Sequence, residues 1–235
     1  GLHDIGKIDP EFQSWVTKDK NKTFVAEDGQ HIDEAKFSFD QHPRHNEISY
    51  FLFSAFEQFA PNATLINKPQ KEYIEHAIYW HHAKPFRKND KKTKNFDTLN
   101  NIYDVFADSL AANAMQPFFE KVFTVIEAVD ALSKTYNDTQ KSIIQNLGWT
   151  KPMASFAEDL CIKSNTPTPA FKHYSENQHL SKMIQTIKNN AFNNILRACV
   201  ISADRRISDL DAAKLSRSIH NMTLNRIVDK ALISE

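Results

Sequence analysis

From residue 46 to residue 59 the apolar side chains Ile48, Phe51, Leu52, Ala55, Phe56 and Phe59 recur at intervals of three and four. That spacing lines one side of an α-helix and does not suit a strand. The period returns over residues 71–80, with Tyr73, Ile74, Ala77 and Ile78 inward, and over 118–134, with Phe119, Val122, Phe123, Ile126 and Val129 on one side. It returns again as an interrupted stripe of Leu180, Met183, Ile184, Ile187, Ile195, Leu196, Cys199, Val200 and Ala203. Shorter helices are expected over 12–16, 139–147 and 153–162. Ser208 or Asp209 can cap a further helix to about residue 220, and Asn221 or Thr223 can start another. Strand structure is limited to a small hairpin near residues 23–32, turning at Glu27-Asp28-Gly29-Gln30 inside a polar insertion. The expected fold is all-α, a helical bundle forming one domain over 1–235, with Thr166-Pro167-Thr168-Pro169 as its clearest linker.

Composition removes several function classes. Four glycines (Gly1, Gly6, Gly29, Gly148) and the lack of a Walker-type sequence exclude a P-loop nucleotidase. Formal net charge is zero, so any nucleic-acid surface must be local. No apolar run reaches spanning length, so no membrane association is expected and the expected location is cytoplasmic. Cys161 and Cys199 have no ligand spacing and read as buried thiols in a reducing compartment, with a disulfide as the minor alternative. The chain opens on Gly1 rather than Met and directly on a His-Asp pair, which reads as a fragment, a processed product or an excised domain.

The residues able to carry chemistry fall into a few places. His3 and Asp4 are adjacent, and both side-chain types are ligands of first-row metals; Lys7, about one helical turn on, can meet a phosphate. His45 begins the first strong helix. His81-His82 ends the second, and late helices offer a further carboxylate, Asp204 in Ala203-Asp204-x-x-x-Ser208 or Asp130 in Val129-Asp130-Ala131-Leu132-Ser133. His31, His42, His76, His173, His179 and His220 read as ordinary surface or core imidazoles. In residues 84–94 six of eleven side chains are Lys or Arg, including Lys84, Arg87, Lys88, Lys91 and Lys92. Such a run is either a solvated loop or a basic flap over a polyanion.

Together, His3-Asp4-x-Gly6-Lys7 with Phe12-Gln13, Arg44-His45-x-Glu47-x-Ser49, His81-His82 and Ala203-Asp204-x-x-x-Ser208 closely resemble the HD-domain nuclease of type I CRISPR interference. That effector, part of the HD metal-dependent phosphohydrolase superfamily, degrades DNA opened by the Cascade surveillance complex. The resemblance implies two divalent transition-metal ions, drawn from Mn, Fe, Co or Ni, with Mg as a further option. Asp4 would bridge them; His3 and Asp204 would hold the first, and His45, His81 and His82 the second. Lys7 would touch the scissile phosphate or a metal-bound oxygen, and Ser208 would support Asp204. Two cations can clamp an in-line phosphodiester displacement.

The resemblance also implies partners: single-stranded DNA, an unwinding helicase domain or subunit, the Cascade complex, and an inhibitor protein as a further candidate. Stacking of bases on aromatics such as Phe86 would assist the basic run. Two departures are visible. The family normally carries another metal-binding His well upstream of the His-Asp pair, which this sequence starts too late to contain, and Ala83 stands where Gly usually follows the double histidine. The alternatives are an HD phosphohydrolase acting on nucleotides, which needs a closed base-sized pocket, and a catalytically decayed HD module that binds a partner protein.

Overall fold

The computed structural model describes residues 2–17, 41–60, 66–82, 96–136, 142–163, 165–172 and 179–208. In chain order these form a 3₁₀ helix, Leu2–Ile8, followed by α1 (Pro10–Thr17), α2 (His45–Gln58), α3 (Lys68–Tyr79), α4 (Leu99–Ser109), α5 (Met115–Tyr136), α6 (Ile143–Leu147), α7 (Phe156–Asp159) and α8 (Leu180–Ser208). There is no strand among the described residues; Thr98 and Pro167 make an isolated antiparallel bridge. The described residues are therefore all-α, as the periodicity implies. The expected hairpin at 23–32 and the expected helices beyond 208 lie outside the described residues.

The helix after His45 is the axis of the core. Its stripe is wider than periodicity alone suggests, because every residue from His45 to Phe53, and then Ala55 and Phe56, is buried. A helix covered on all sides needs neighbours on all sides. The 3₁₀ helix, α3 and α4 lie directly against it. Phe51 packs its ring between Tyr103, Phe106 and Phe119, while Phe56 stacks on Trp149 with centroids 5.2 Å apart. Fully burying such a ring stabilises the fold by roughly 1.5–3 kcal/mol. Glu47 closes the start of α2 by accepting the Arg44 N–H at 2.7 Å, which accounts for the glutamate of the Arg-His-x-Glu-x-Ser motif.

Several elements differ from expectation. α3 begins three residues early because Asn67 and Gln70 exchange capping hydrogen bonds at 3.0 and 2.9 Å and Pro69 sits in the first turn. α4 was not anticipated; Thr98 caps it and Leu99, Ile102 and Phe106 bury its inner side. The helices expected over 139–147 and 153–162 are shorter, reduced to 143–147, after the Ser142 cap, and to a single turn. The expected linker is fastened down: Thr166 accepts from the Leu99 N–H at 2.8 Å, Thr168 donates to Asp97 at 2.9 Å, and Pro169 accepts from the Trp80 indole at 2.7 Å.

The largest correction concerns α8. It runs without interruption for 29 residues, and Leu180, Ile184, Ile187 and Ile195 of the expected interrupted stripe are exposed. The helix instead turns its polar side to the body: Asn189 accepts from the Tyr73 hydroxyl at 3.2 Å, and Arg197 reaches the end of α3. Cys161 and Cys199 are exposed free thiols, contrary to the expectation of burial. A thiol is buried only if its helix face is, and here the Cys199 face is the outer one.

Candidate metal centre

The opening stretch folds as a 3₁₀ helix, and its three-residue turn makes side chains at i and i+3 eclipse. The sequence sorts itself accordingly into three faces. Leu2, Ile5 and Ile8 form an apolar face that borders Val125, Ile126 and Val129 of α5, around a cavity of about 210 Å³ that Asp4 also lines. His3, Gly6 and Asp9 face α2 and the chain leading into it. Asp4 and Lys7 form the third face, paired at 3.0 Å between Asp4 Oδ1 and Lys7 Nζ.

The second face is where the helix is fixed. Ser49 Oγ accepts the Gly6 N–H at 2.8 Å and donates to the His3 carbonyl at 2.8 Å, so one hydroxyl holds both ends of the His-Asp-x-Gly segment. Asp9 is almost fully buried; it caps α1 by accepting the Glu11 and Phe12 N–H groups and takes a hydrogen bond from His42 Nε2 at 2.8 Å. His42 is thus a satisfied structural imidazole. Phe12 then sets its ring edge-on to His45, and Gln13 donates to the Lys7 carbonyl at 2.6 Å. The Phe-Gln pair supports the site from below without entering it.

Five histidine and aspartate positions from four separated stretches of sequence converge, with His82 as a sixth. His3 Nε2 lies 3.3 Å from Asp4 Oδ2 and 3.6 Å from Asp204 Oδ1. His45 Nε2 lies 3.2 Å from His81 Nε2 and 2.9 Å from His82 Nε2. Asp4 Oδ1 faces this second group, 3.4 Å from His45 Nε2 and 3.8 Å from His81 Nε2. The result is two groups able to hold a metal ion, His3-Asp4-Asp204 and His45-His81-His82, and Asp4 turns one oxygen to each. Asp130 belongs to neither group; it is buried in α5.

The electrostatics prepare these groups for a cation. Burial pulls the Asp4 pKa upward, but the His3 and His45 rings beside its two oxygens, at 3.3 and 3.4 Å, and the charges of His3 and Lys7 outweigh it, and the carboxyl stays far below its usual range. Burial pushes His81 down to about 3 and His82 to about 2, so both rings are neutral near pH 7, the form that ligates metal. His81 Nδ1 donates to the Ile78 carbonyl at 2.6 Å, which leaves its lone pair on Nε2, aimed at His45. His3 Nε2 and Asp4 Oδ1 are buried and make no aligned hydrogen bond, although Asp4 Oδ1 is in ion-pair reach of Lys7. Buried imidazole nitrogens and carboxylate oxygens that converge in this way fit a divalent cation. The imidazoles are deep (His45 1 % and His81 2 % exposed side chains), whereas Asp4, Lys7 and Asp204 are 28 %, 41 % and 36 % exposed, so the centre opens to solvent along its carboxylate edge.

Sequence reasoning named all six donors but missed Arg197, Ser49 as a clamp, and Asp9 with His42. Only Ser49 lay inside a quoted motif. Ser208 closes α8 four residues beyond Asp204. Lys84, Arg87, Lys88, Lys91 and Lys92 lie outside the described residues.

A helical fold whose His-Asp pair, three further histidines and late aspartate meet at one opening fits an HD-domain bundle. Among protein families, residues 1–205 match the one described as Cas3, HD domain, and the chain belongs to that family. Its members are CRISPR-associated HD nucleases, which bind divalent metals and work in the context of a helicase and Cascade. No curated protein and no solved structure matches the chain. No helix among the described residues is long and apolar enough to cross a membrane.

Proposed function

We propose that this chain hydrolyses phosphodiester bonds in single-stranded DNA with two divalent transition-metal ions, acting in type I CRISPR interference beside a helicase and the Cascade complex. The observation that carries the reading is the shared carboxylate: Asp4 directs Oδ2 to His3 and Oδ1 to His45 and His81. His3, Asp4 and Asp204 would hold one ion and His45, His81, His82 and Asp4 the other. Two such ions supply Lewis-acid clamping of the attacking and leaving oxygens. Asp4, kept anionic by its neighbours, offsets the cationic charge and aligns both groups. Lys7, on the exposed edge and held by Gln13 through its carbonyl, binds a non-bridging oxygen of the scissile phosphate as a point charge. Ser208 supports Asp204, and the basic residues 84–94 draw in the strand.

The cavity beside Asp4 favours a second reading, hydrolysis of a free nucleotide whose base enters it. Its lining offers hydrophobic side chains and Asp4 alone as a polar side chain, so a base there would leave its polar edge unread. Incubating the Mn(II)-loaded protein with single-stranded DNA and, separately, with a panel of nucleotides tests the two. Cleavage of the DNA is expected; turnover of nucleotides alone would sink the nuclease reading.

A further inference from the structure

Arg197 stands outside every motif that leads to the metal centre, yet it joins the two halves of that centre. Its Nε donates to the Trp80 carbonyl at 2.6 Å and one terminal nitrogen donates to the His82 carbonyl at 2.9 Å. Trp80 is the C-cap of α3, so these carbonyls lie at the helix end where intrahelical donors run out. A guanidinium there satisfies them and meets the negative end of the helix dipole. The two carbonyls bracket His81, and the second belongs to His82 itself.

On its own helix Arg197 precedes Asp204 by seven residues, about two turns at 3.6 residues per turn, so both project from the same side of α8. One side chain thus fixes the turn that presents His81 and His82, and its helix presents Asp204 to His3. α8 needs such a fixture. Leu180, Ile184, Ile187 and Ile195 on its outer side are exposed, and its position depends on contacts from the inner side. These include Tyr73 with Asn189 and Phe192, Lys172 with Asn190, and Arg197. Of these, Arg197 is nearest to Asp204 in sequence.

We propose that Arg197 is a positioning residue that sets the separation between the His45-His81-His82 group and the His3-Asp4-Asp204 group, by locking the His81-His82 turn to the helix that carries Asp204. The proposal rests on the two-ion reading above. The planar fork of arginine spans two carbonyls at once, which a lysine ammonium on a flexible stem does not reproduce. Losing the fixture leaves all six donors in the sequence but lets Asp204 drift relative to Asp4, and a supporting residue of this kind typically changes metal affinity by about 10- to 100-fold.

The test titrates Mn(II) alone into the metal-free protein and follows it by calorimetry and by electron paramagnetic resonance, which distinguishes coupled manganese pairs from isolated ions. Arg197→Ala and Arg197→Lys should both lose about 10- to 100-fold in affinity and lose the coupled signal. Tyr73→Phe, which breaks the Tyr73–Asn189 bond elsewhere between α3 and α8, should match the parent. Amide exchange on the metal-free proteins should rise at residues 80–82 and 198–206 in Arg197→Ala and not in Tyr73→Phe. An Arg197→Ala protein with the parent's manganese isotherm and coupled spectrum overturns the proposal. A parent that binds fewer than two manganese ions overturns the two-ion reading instead, and exchange then decides on Arg197: protection unchanged in both regions refutes its positioning role.

Discussion

Gly6 lies so close to the carbonyl oxygen of His45 that a β-carbon at that position would overlap it, and the same β-carbon would stand 2.9 Å from the Ser49 amide nitrogen. Both obstacles are backbone of the central helix and cannot swing away. The glycine of His-Asp-x-Gly-Lys is therefore a packing requirement: it lets the 3₁₀ helix approach α2 until Asp4 reaches His45. Gly6→Ala is expected to cost about 1–3 kcal/mol, the usual penalty for overpacking, and to weaken metal binding by tilting the opening helix away. A thermal melt with a manganese titration checks both; a variant equal to the parent in each would show that the contact relaxes freely.

The two late aspartates should separate cleanly. Asp204 faces His3 at a partly exposed edge, so Asp204→Ala should leave folding within about 0.5 kcal/mol of the parent while lowering metal content, since surface changes seldom cost more. Asp130 is buried in α5 and belongs to neither donor group, so Asp130→Ala should lower stability and spare the metal. Metal analysis of the two purified variants, beside their melting curves, decides; the reverse pattern would transfer the ligand role to Asp130.

What the sequence disclosed differs from residue to residue for physical reasons. His3, Asp4, His45, His81 and His82 were legible as candidate ligands because imidazoles and carboxylates carry their chemistry in the residue type, whereas Asp204 stood out from Asp130 only through the resemblance to the HD-domain nuclease. Arg197 was not, because its partners are the carbonyls of Trp80 and His82, and a backbone acceptor leaves no mark on residue type. Periodicity shows which residues share a helix face but not which way that face looks: Leu180, Ile184 and Ile187 share one, and it is the outer one, because Asn189 and Arg197 found partners inside. α4 went unread although Thr98, Leu99, Ile102 and Phe106 spell a cap and a stripe, since a lysine-rich run precedes them. The 3₁₀ geometry was also present, in the three-residue spacing of Leu2, Ile5 and Ile8.

Stability should fall as pH rises through neutrality because of Glu75 in α3. Burial, then repulsion from Glu57 and Glu72, pushes its carboxyl up to about 7, with Lys71 and Lys68 opposing. The folded state thus holds a proton between about pH 4.5 and 7 that the unfolded chain has released, and stability declines across that window. Glu75→Gln removes the titration. The variant should gain on the order of 2 kcal/mol over the parent at pH 8, after discounting for partial exposure, and little at pH 4. Urea melts at the two pH values measure this, and a gain independent of pH would assign the effect to packing.

The basic run at 84–94 begins two residues after His82, and the centre opens along the edge formed by Asp4, Lys7 and Asp204. If Lys88, Lys91 and Lys92 contact phosphates, replacing all three with Gln removes three counterion-releasing contacts. The plot of log affinity against log salt for single-stranded DNA should then become shallower by about 2, at roughly 0.7 per contact. Anisotropy titrations of a labelled oligonucleotide on metal-free protein at several salt concentrations give that slope without cleavage. The same variant should keep the parent's manganese affinity, because none of the three is a metal ligand. A slope equal to the parent's would leave the run a solvated loop and send the search for a DNA path to the cations of α8, Arg205 and Arg206, in the turn that carries Asp204.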